Sequence, residues 1–101
     1  MAELTLADRR SLALHRAVVE RLAAAPGLLE IARRNLARAI AEQRLHAHYA
    51  DQWQELLALP LPELMVKLVD EAEPMRDLRA TTMFAGVLPP RERWKILRET
   101  R

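Results

Sequence analysis

Arg10 and His15 are the first residues of the chain whose types suit acid–base work on a phosphate ester. A guanidinium can hold the phosphate while an imidazole moves a proton near neutral pH. Five residues of regular helix turn about 500°, however, so the two side chains leave the helix about 140° apart and do not readily share one phosphate. The simpler reading of His15 is a histidine at the edge of a helix interface. A second set, His46, His48 and Asp51, offers imidazole and carboxylate ligands. His48 and Asp51 share a face if a helix runs through them, but His46 and His48 do not. The preferred reading places these histidines at the end of a helix, against the negative end of its dipole, with no metal bound. The chain has no Cys, which removes thiolate nucleophiles, disulfides and Cys-based zinc sites. With only two Gly and no Gly-x-Ser-x-Gly or His-Glu-x-x-His motif, phosphate cradles and common hydrolytic sites are also missing. The expectation is a protein that is not an enzyme and needs no cofactor.

The residues most suited to binding lie late in the chain. From Met83 to Leu88 there is no polar residue, and Gly86 with Pro89 and Pro90 prevents a continuous helix. So apolar a segment must be covered, either by the chain's own helices or by another protein. Arg76, Arg79, Arg91 and Arg93 flank it, and Trp94 follows. Apolar anchors ringed by guanidinium groups are the makeup of an interface centre able to meet carboxylates of a partner. The candidate partner-binding set is therefore Arg76, Arg79, Met83, Phe84, Val87, Leu88, Arg91, Arg93 and Trp94. The competing reading makes Phe84 and Trp94 part of the chain's own core.

Helices must position these groups. Half of the 101 residues are hydrophobic and only 4% aromatic, with Leu and Ala dominant, which favours an all-α fold. Thr5 and Asp8 have the spacing of a capping box, starting a helix near Leu6 that carries Leu12, His15, Val19 and Leu22 on one stripe, widened by Leu14 and Val18. Pro26-Gly27 ends it. A second helix is expected from Leu28 to about His46, and the short connection predicts an antiparallel hairpin of the two. Asp51 is expected to cap a third helix ending by Leu59, Pro62 to open a fourth, Met75 to Ala80 to form a short fifth, and Pro90 to open the last. The expected architecture is a compact bundle of about five or six helices built on the hairpin, in one domain, with residues 82–101 as a docking segment and helix. Its core is expected to include Leu12, Val19, Leu22, Leu29, Leu36, Ile40, Trp53, Leu56, Leu64 and Leu68.

The net charge of +2 conceals blocks: residues 1–50 carry +3, residues 51–75 carry −5 and residues 76–101 carry +4. Alternating blocks suit internal compensation or a charged protein partner better than a uniform nucleic-acid surface. The sequence pI near 9.7 and the Arg-rich first two helices keep nucleic-acid binding as the second reading, although Glu20, Glu30 and Glu42 interrupt those faces. Lys occurs only at positions 67 and 95, an arginine bias in keeping with a high-GC bacterial genome. The first ten residues, MAELTLADRR, lack the apolar core of a signal peptide, and no run has the length of a membrane span. A cytoplasmic protein is expected, with self-association left open.

Two resemblances bear on function. The Arg-x4-His spacing of Arg10 and His15 resembles that of HEPN ribonucleases, which are small and all-helical. That motif usually sits late in its fold with Asn, Asp or His after the Arg, whereas here Ser11 follows and the pair lies early. The segments RSLALHRAVVERL, RRNLARA, YADQWQELL and LRATTMFAGVLPPRERWKILRE, which together cover most of the chain, resemble a group of short bacterial proteins encoded beside a toxin gene. In that group the late segment often reads Ser-Pro-Phe-Ala-Gly-hydrophobic-Leu before a basic helix, and here Thr82-Met83 replaces Ser-Pro. The resemblance implies an antitoxin-like protein that neutralises a co-encoded toxin by contact at or near its active site, the toxin being a nucleotidyltransferase, a zeta-type kinase or another enzyme. The HEPN-like ribonuclease is a distant third reading behind nucleic-acid binding.

Overall fold

A computed structural model describes residues 4–101, among which there are six α-helices and no strand: α1 (Leu6–Ala24), α2 (Leu29–Ala41), α3 (Ala47–Leu57), α4 (Leu61–Leu68), α5 (Glu73–Arg79) and α6 (Pro90–Glu99). The start of α1 follows from local chemistry. The Thr5 hydroxyl accepts from the Asp8 N–H, and the Asp8 carboxylate accepts from the Thr5 N–H, each at 3.1 Å. Two otherwise orphaned donors are thereby satisfied. The Thr5 backbone bond holds the Asp8 carboxyl below the usual carboxylate range. Pro26–Leu28 forms one turn of 3-10 helix that leads directly into α2.

Helix α2 ends at Ala41, short of the expected His46, and its termination is purely conformational. Gln43 adopts φ +55°. Its N–H bonds the Ile40 carbonyl, and the Arg44 N–H reaches back to the Ala39 carbonyl, the two bonds of a Schellman motif. A Gln in the position where Gly is usual costs about 1–2 kcal/mol and gives no signal in the sequence. The early stop moves His46 and His48 from the expected end of α2 to the start of α3. His46 is the N-cap, its Nδ1 accepting from the His48 N–H at 3.1 Å. His46 thus serves as an acceptor at the N-terminal end of α3, not at the expected place at the C-terminal end of α2. Asp51, expected as the cap of this helix, is an exposed residue in its interior.

The core draws on α1 (Val18, Leu22), α2 (Leu29, Ala32, Leu36, Ala39), α3 (Trp53, Leu56, Leu57), α4 (Leu64, Leu68) and α5 (Met75, Leu78), while α6 contributes the half-buried Ile96. Helix α1 packs closely against α4, α5 and α6, whereas α2 packs against α3. The long first helix is thus the spine of the molecule. Two expected core positions differ. Val19 is half-buried against the core, and Ile40 is 39% exposed because the face of α2 that meets α3 is centred on Leu36 and Ala39.

The segment after α5 completes the core from within. Met83, Phe84, Val87 and Leu88 are all buried. Phe84, 4% exposed, meets the His15 ring edge-on at 6.2 Å and the Trp53 ring at 5.9 Å, and so bridges α1 and α3. Polar groups hold the same segment from three helices. The Trp53 indole N–H donates to the Thr81 hydroxyl at 3.0 Å, and that hydroxyl donates to the Leu78 carbonyl. His15 donates from Nδ1 to the Ser11 carbonyl at 2.7 Å and accepts from the Thr82 hydroxyl at Nε2, 2.8 Å. Thr82 in turn accepts from the Phe84 N–H. Asn35 of α2 donates from its amide nitrogen to the carbonyls of Met83 and Ala85. Gly86 sits at φ +93°, where a side chain is strained even though a Cβ would meet nothing nearer than Ile31 at 3.9 Å.

His15 makes this arrangement sensitive to acid. Burial lowers its pKa from 6.5 to about 4, the Ser11 bond opposes the shift, and the Arg79 charge adds to it. The folded state therefore binds the proton less readily than the unfolded chain. Stability from neutral His15 is complete above pH 6.5 and is lost as pH falls toward 4. The loss predicted over that interval is about 3 kcal/mol. Urea unfolding at pH 7 and at pH 4.5 measures it, and His15→Gln should flatten the dependence across that window.

Candidate functional site

The nine residues singled out from the sequence divide into two environments. Arg79, Met83, Phe84, Val87 and Leu88 are buried in the chain's own fold, and of these Phe84 and Leu88 also line a surface concavity. Arg76 on α5 is half-buried, while Arg91, Arg93 and Trp94 on α6 are exposed. Trp94 is 61% exposed, in contrast to Trp53, which is wholly buried.

Arg79 illustrates why a charged residue can be structural. It is 2% exposed, and its Nη1 donates to the carbonyls of Leu68 at 3.1 Å and Asp70 at 2.6 Å, closing the C-terminal end of α4. Those carbonyls lie where the helix has no N–H left to offer, and a cation is favoured there by the dipole. Burial lowers the Arg79 pKa, and the nearby carboxylates of Asp70, Asp8 and Glu71 work against that shift. Nε and Nη2 are buried without a hydrogen-bond partner among the described residues. The guanidinium is thus a helix cap that is only partly repaid.

The exposed part of the set belongs to a larger surface. Trp94, Leu97 and Arg98 follow one another along α6, Arg101 lies just past its end, and Leu6 and Arg10 of α1 meet them to form an open groove of about 580 Å³. Arg10 ties the two sides together through its Nε bond to the Thr100 carbonyl, 3.3 Å. Arg91 precedes Trp94 on the same side of α6. The acids of α6 point elsewhere: Glu92 pairs with Arg21 of α1, and Glu99 lines the crevice between α6 and the Ala13–Ala17 stretch. Helix α6 therefore separates a face of Trp, Leu and Arg from a face that carries both its carboxylates. Among the described residues, no carboxylate pairs with Arg10, Arg91, Arg93, Arg98 or Arg101.

Leu6, Leu97, Arg98 and Arg101 are not in the candidate partner-binding set, and Arg10 is a sequence candidate only with His15, for phosphate chemistry. Leu97, Arg98 and Arg101 could have been found from the spacing around Trp94, with Glu92 and Glu99 seven residues apart on the other face. Leu6 and Arg10 join the groove only through tertiary packing.

A second concavity, about 270 Å³, lies between α1 and the segment after α5, lined by Leu14, Val18, Phe84 and Leu88, with the His15–Thr82 pair and Arg93 also facing it. Arg10 and His15 are not brought together, for Arg10 serves the α6 groove while His15 is buried against Thr82. Among the described residues no three His, Cys, Asp or Glu side chains come together as a metal site, and His48 instead contacts Gln52. No described helix is long and apolar enough to cross a membrane.

These placements predict opposite behaviour for two arginines of the original set. Arg79→Ala should lower stability by about 2–4 kcal/mol through lost capping and a cavity, with no partner present. Arg91→Ala should stay within about 0.5 kcal/mol of wild type. Urea melts of the isolated protein separate the two.

No protein-family model matches the chain, and neither a curated protein nor a solved structure does so.

Proposed function

We propose that this chain is a binding protein that docks a protein partner through the Trp94 face of α6. The observation that carries this reading is a tryptophan 61% exposed within a carboxylate-free surface of arginines and leucines. Burying an indole of that size is a strong driving force, and Trp and Arg are the residues that dominate binding energy at protein interfaces. The chain holds Trp94 outward on a helix that adds only a half-buried Ile96 to the core, so α6 is cheap for the fold to commit to another surface.

Following the resemblance to short proteins encoded beside toxin genes, the partner is a co-encoded toxin, neutralised by coverage of its active site. Arginines suit that role, since the metal or nucleotide sites of such enzymes carry carboxylates with which a guanidinium forms paired hydrogen bonds. Nucleic acid is the less favoured partner. Strand-binding surfaces use several stacking platforms, whereas Trp53 and Phe84 are buried and Tyr49 is half-buried, leaving Trp94 alone.

Co-expression of the chain with the product of the neighbouring gene tests the proposal. Trp94→Ala should weaken the complex by about 30-fold, corresponding to about 2 kcal/mol at an interface anchor. Its stability should remain within about 0.5 kcal/mol of wild type. A variant that still binds and neutralises as wild type does would refute docking through α6. Salt-sensitive binding of an oligonucleotide, with no bound protein partner, would favour the nucleic-acid reading instead.

A further inference from the structure

Arg93 lines the 270 Å³ pocket between α1 and the segment after α5, and the next residue of α6, Trp94, lines the groove about 100° further round the helix. The pocket's polar members are already engaged. His15 uses both ring nitrogens, on Ser11 and Thr82, and Thr82 also accepts from the Phe84 N–H. An occupant therefore gains mainly apolar contact with Leu14, Val18, Phe84 and Leu88. Arg93 is the one fixed charge lining the pocket, and among the described residues it has no ion-pair partner. Size is decisive as well. Sites for drug-sized ligands run from about 300 to 1,000 Å³, so 270 Å³ is too small for a nucleotide cofactor and suits a single large side chain.

We propose that this pocket receives one apolar side chain of Leu to Phe size from the partner protein, with a neighbouring Asp or Glu carboxylate paired to Arg93. The choice of a protein occupant rests on the docking reading above. Charge complementarity selects the acid: Arg93, at the pocket, has no ion-pair partner among the described residues, so an acidic neighbour is drawn in and a basic one repelled.

Isotope-labelled protein titrated with the capped dipeptides N-acetyl-Asp-Phe-amide and N-acetyl-Lys-Phe-amide tests the assignment without the partner. The expected result is saturable shifts of the Ala85 and Gly86 amides and the Leu14 and Val18 methyls at about millimolar peptide. The acidic peptide should bind about three- to fivefold more tightly than the basic one, the scale of an exposed ion pair. Arg93→Glu should reverse that order. Leu14→Phe, which fills the pocket from a half-buried position, should abolish the shifts while amide spectra elsewhere show an intact fold.

Absence of localised shifts, or equal binding of both peptides unchanged in Arg93→Glu, would overturn the proposal. Micromolar binding of 4-phenylbutanoate with no binding of either peptide would also overturn it, by making the pocket a small-molecule site. The two readings fail separately: a partner complex indifferent to Trp94→Ala removes α6 docking, whereas the peptide titration reports on the pocket alone.

Discussion

The side-chain contacts of Thr81, Thr82 and Phe84 are what the rest of this fold depends on. Trp53 and His15 both bring polar ring nitrogens into the interior, and each finds a partner in one of two adjacent threonines. Phe84 then sits between the two rings. Buried polar groups left unpaired would each cost about 1–3 kcal/mol, so the segment after α5 is needed by α1 and α3 as much as it needs them. This mutual dependence explains how a stretch with a Gly and two Pro can be as buried as a helix. Its backbone groups are served by side chains, Asn35 among them, in place of a regular ladder.

That arrangement divides the basic residues by function. Arg79 enters the interior because the end of α4 offers unpaired carbonyls, and its charge is held there by backbone oxygens with carboxylates at longer range. Among the described residues, Arg91, Arg93 and Arg98 of α6 have no ion-pair partner. The indole exposed beside them adds nothing to the core, and the docking proposal rests on it. Under the docking proposal, Trp94 is the flat anchor that a partner buries and the pocket beside Phe84 is the socket that it fills.

Legibility from sequence followed the range of the interaction. The Thr5–Asp8 cap, the break at Pro26-Gly27 and the opening of α6 at Pro90 are set by residues within a few positions, and all three were readable. The end of α2 was not, because Gln43 takes a left-handed conformation that its type does not advertise, and the start of α3 moved with it. The late segment was recognised as too apolar to be free, but composition alone could not decide between burial at home and burial on a partner. That choice depended on Thr81 and Thr82 meeting Trp53 and His15, partners 28 and 67 residues away. Arg79 misled for the same reason, since nothing near it in sequence shows that α4 ends against it. For Trp94, too, the sequence left core and interface open, and its 61% exposure is seen only in the structure.

Native-state hydrogen exchange of the Phe84 and Val87 amides tests the central claim most directly. Both lie in the irregular segment, Phe84 donating to the Thr82 hydroxyl and Val87 to the Phe84 carbonyl. If the segment is part of the cooperative core, both should exchange only through global unfolding, with the same opening free energy as buried amides of α1 around Leu22. Exchange at nearly the rate of an unfolded chain, while the α1 amides stay protected, would show a segment that detaches from the core on its own and would contradict this account.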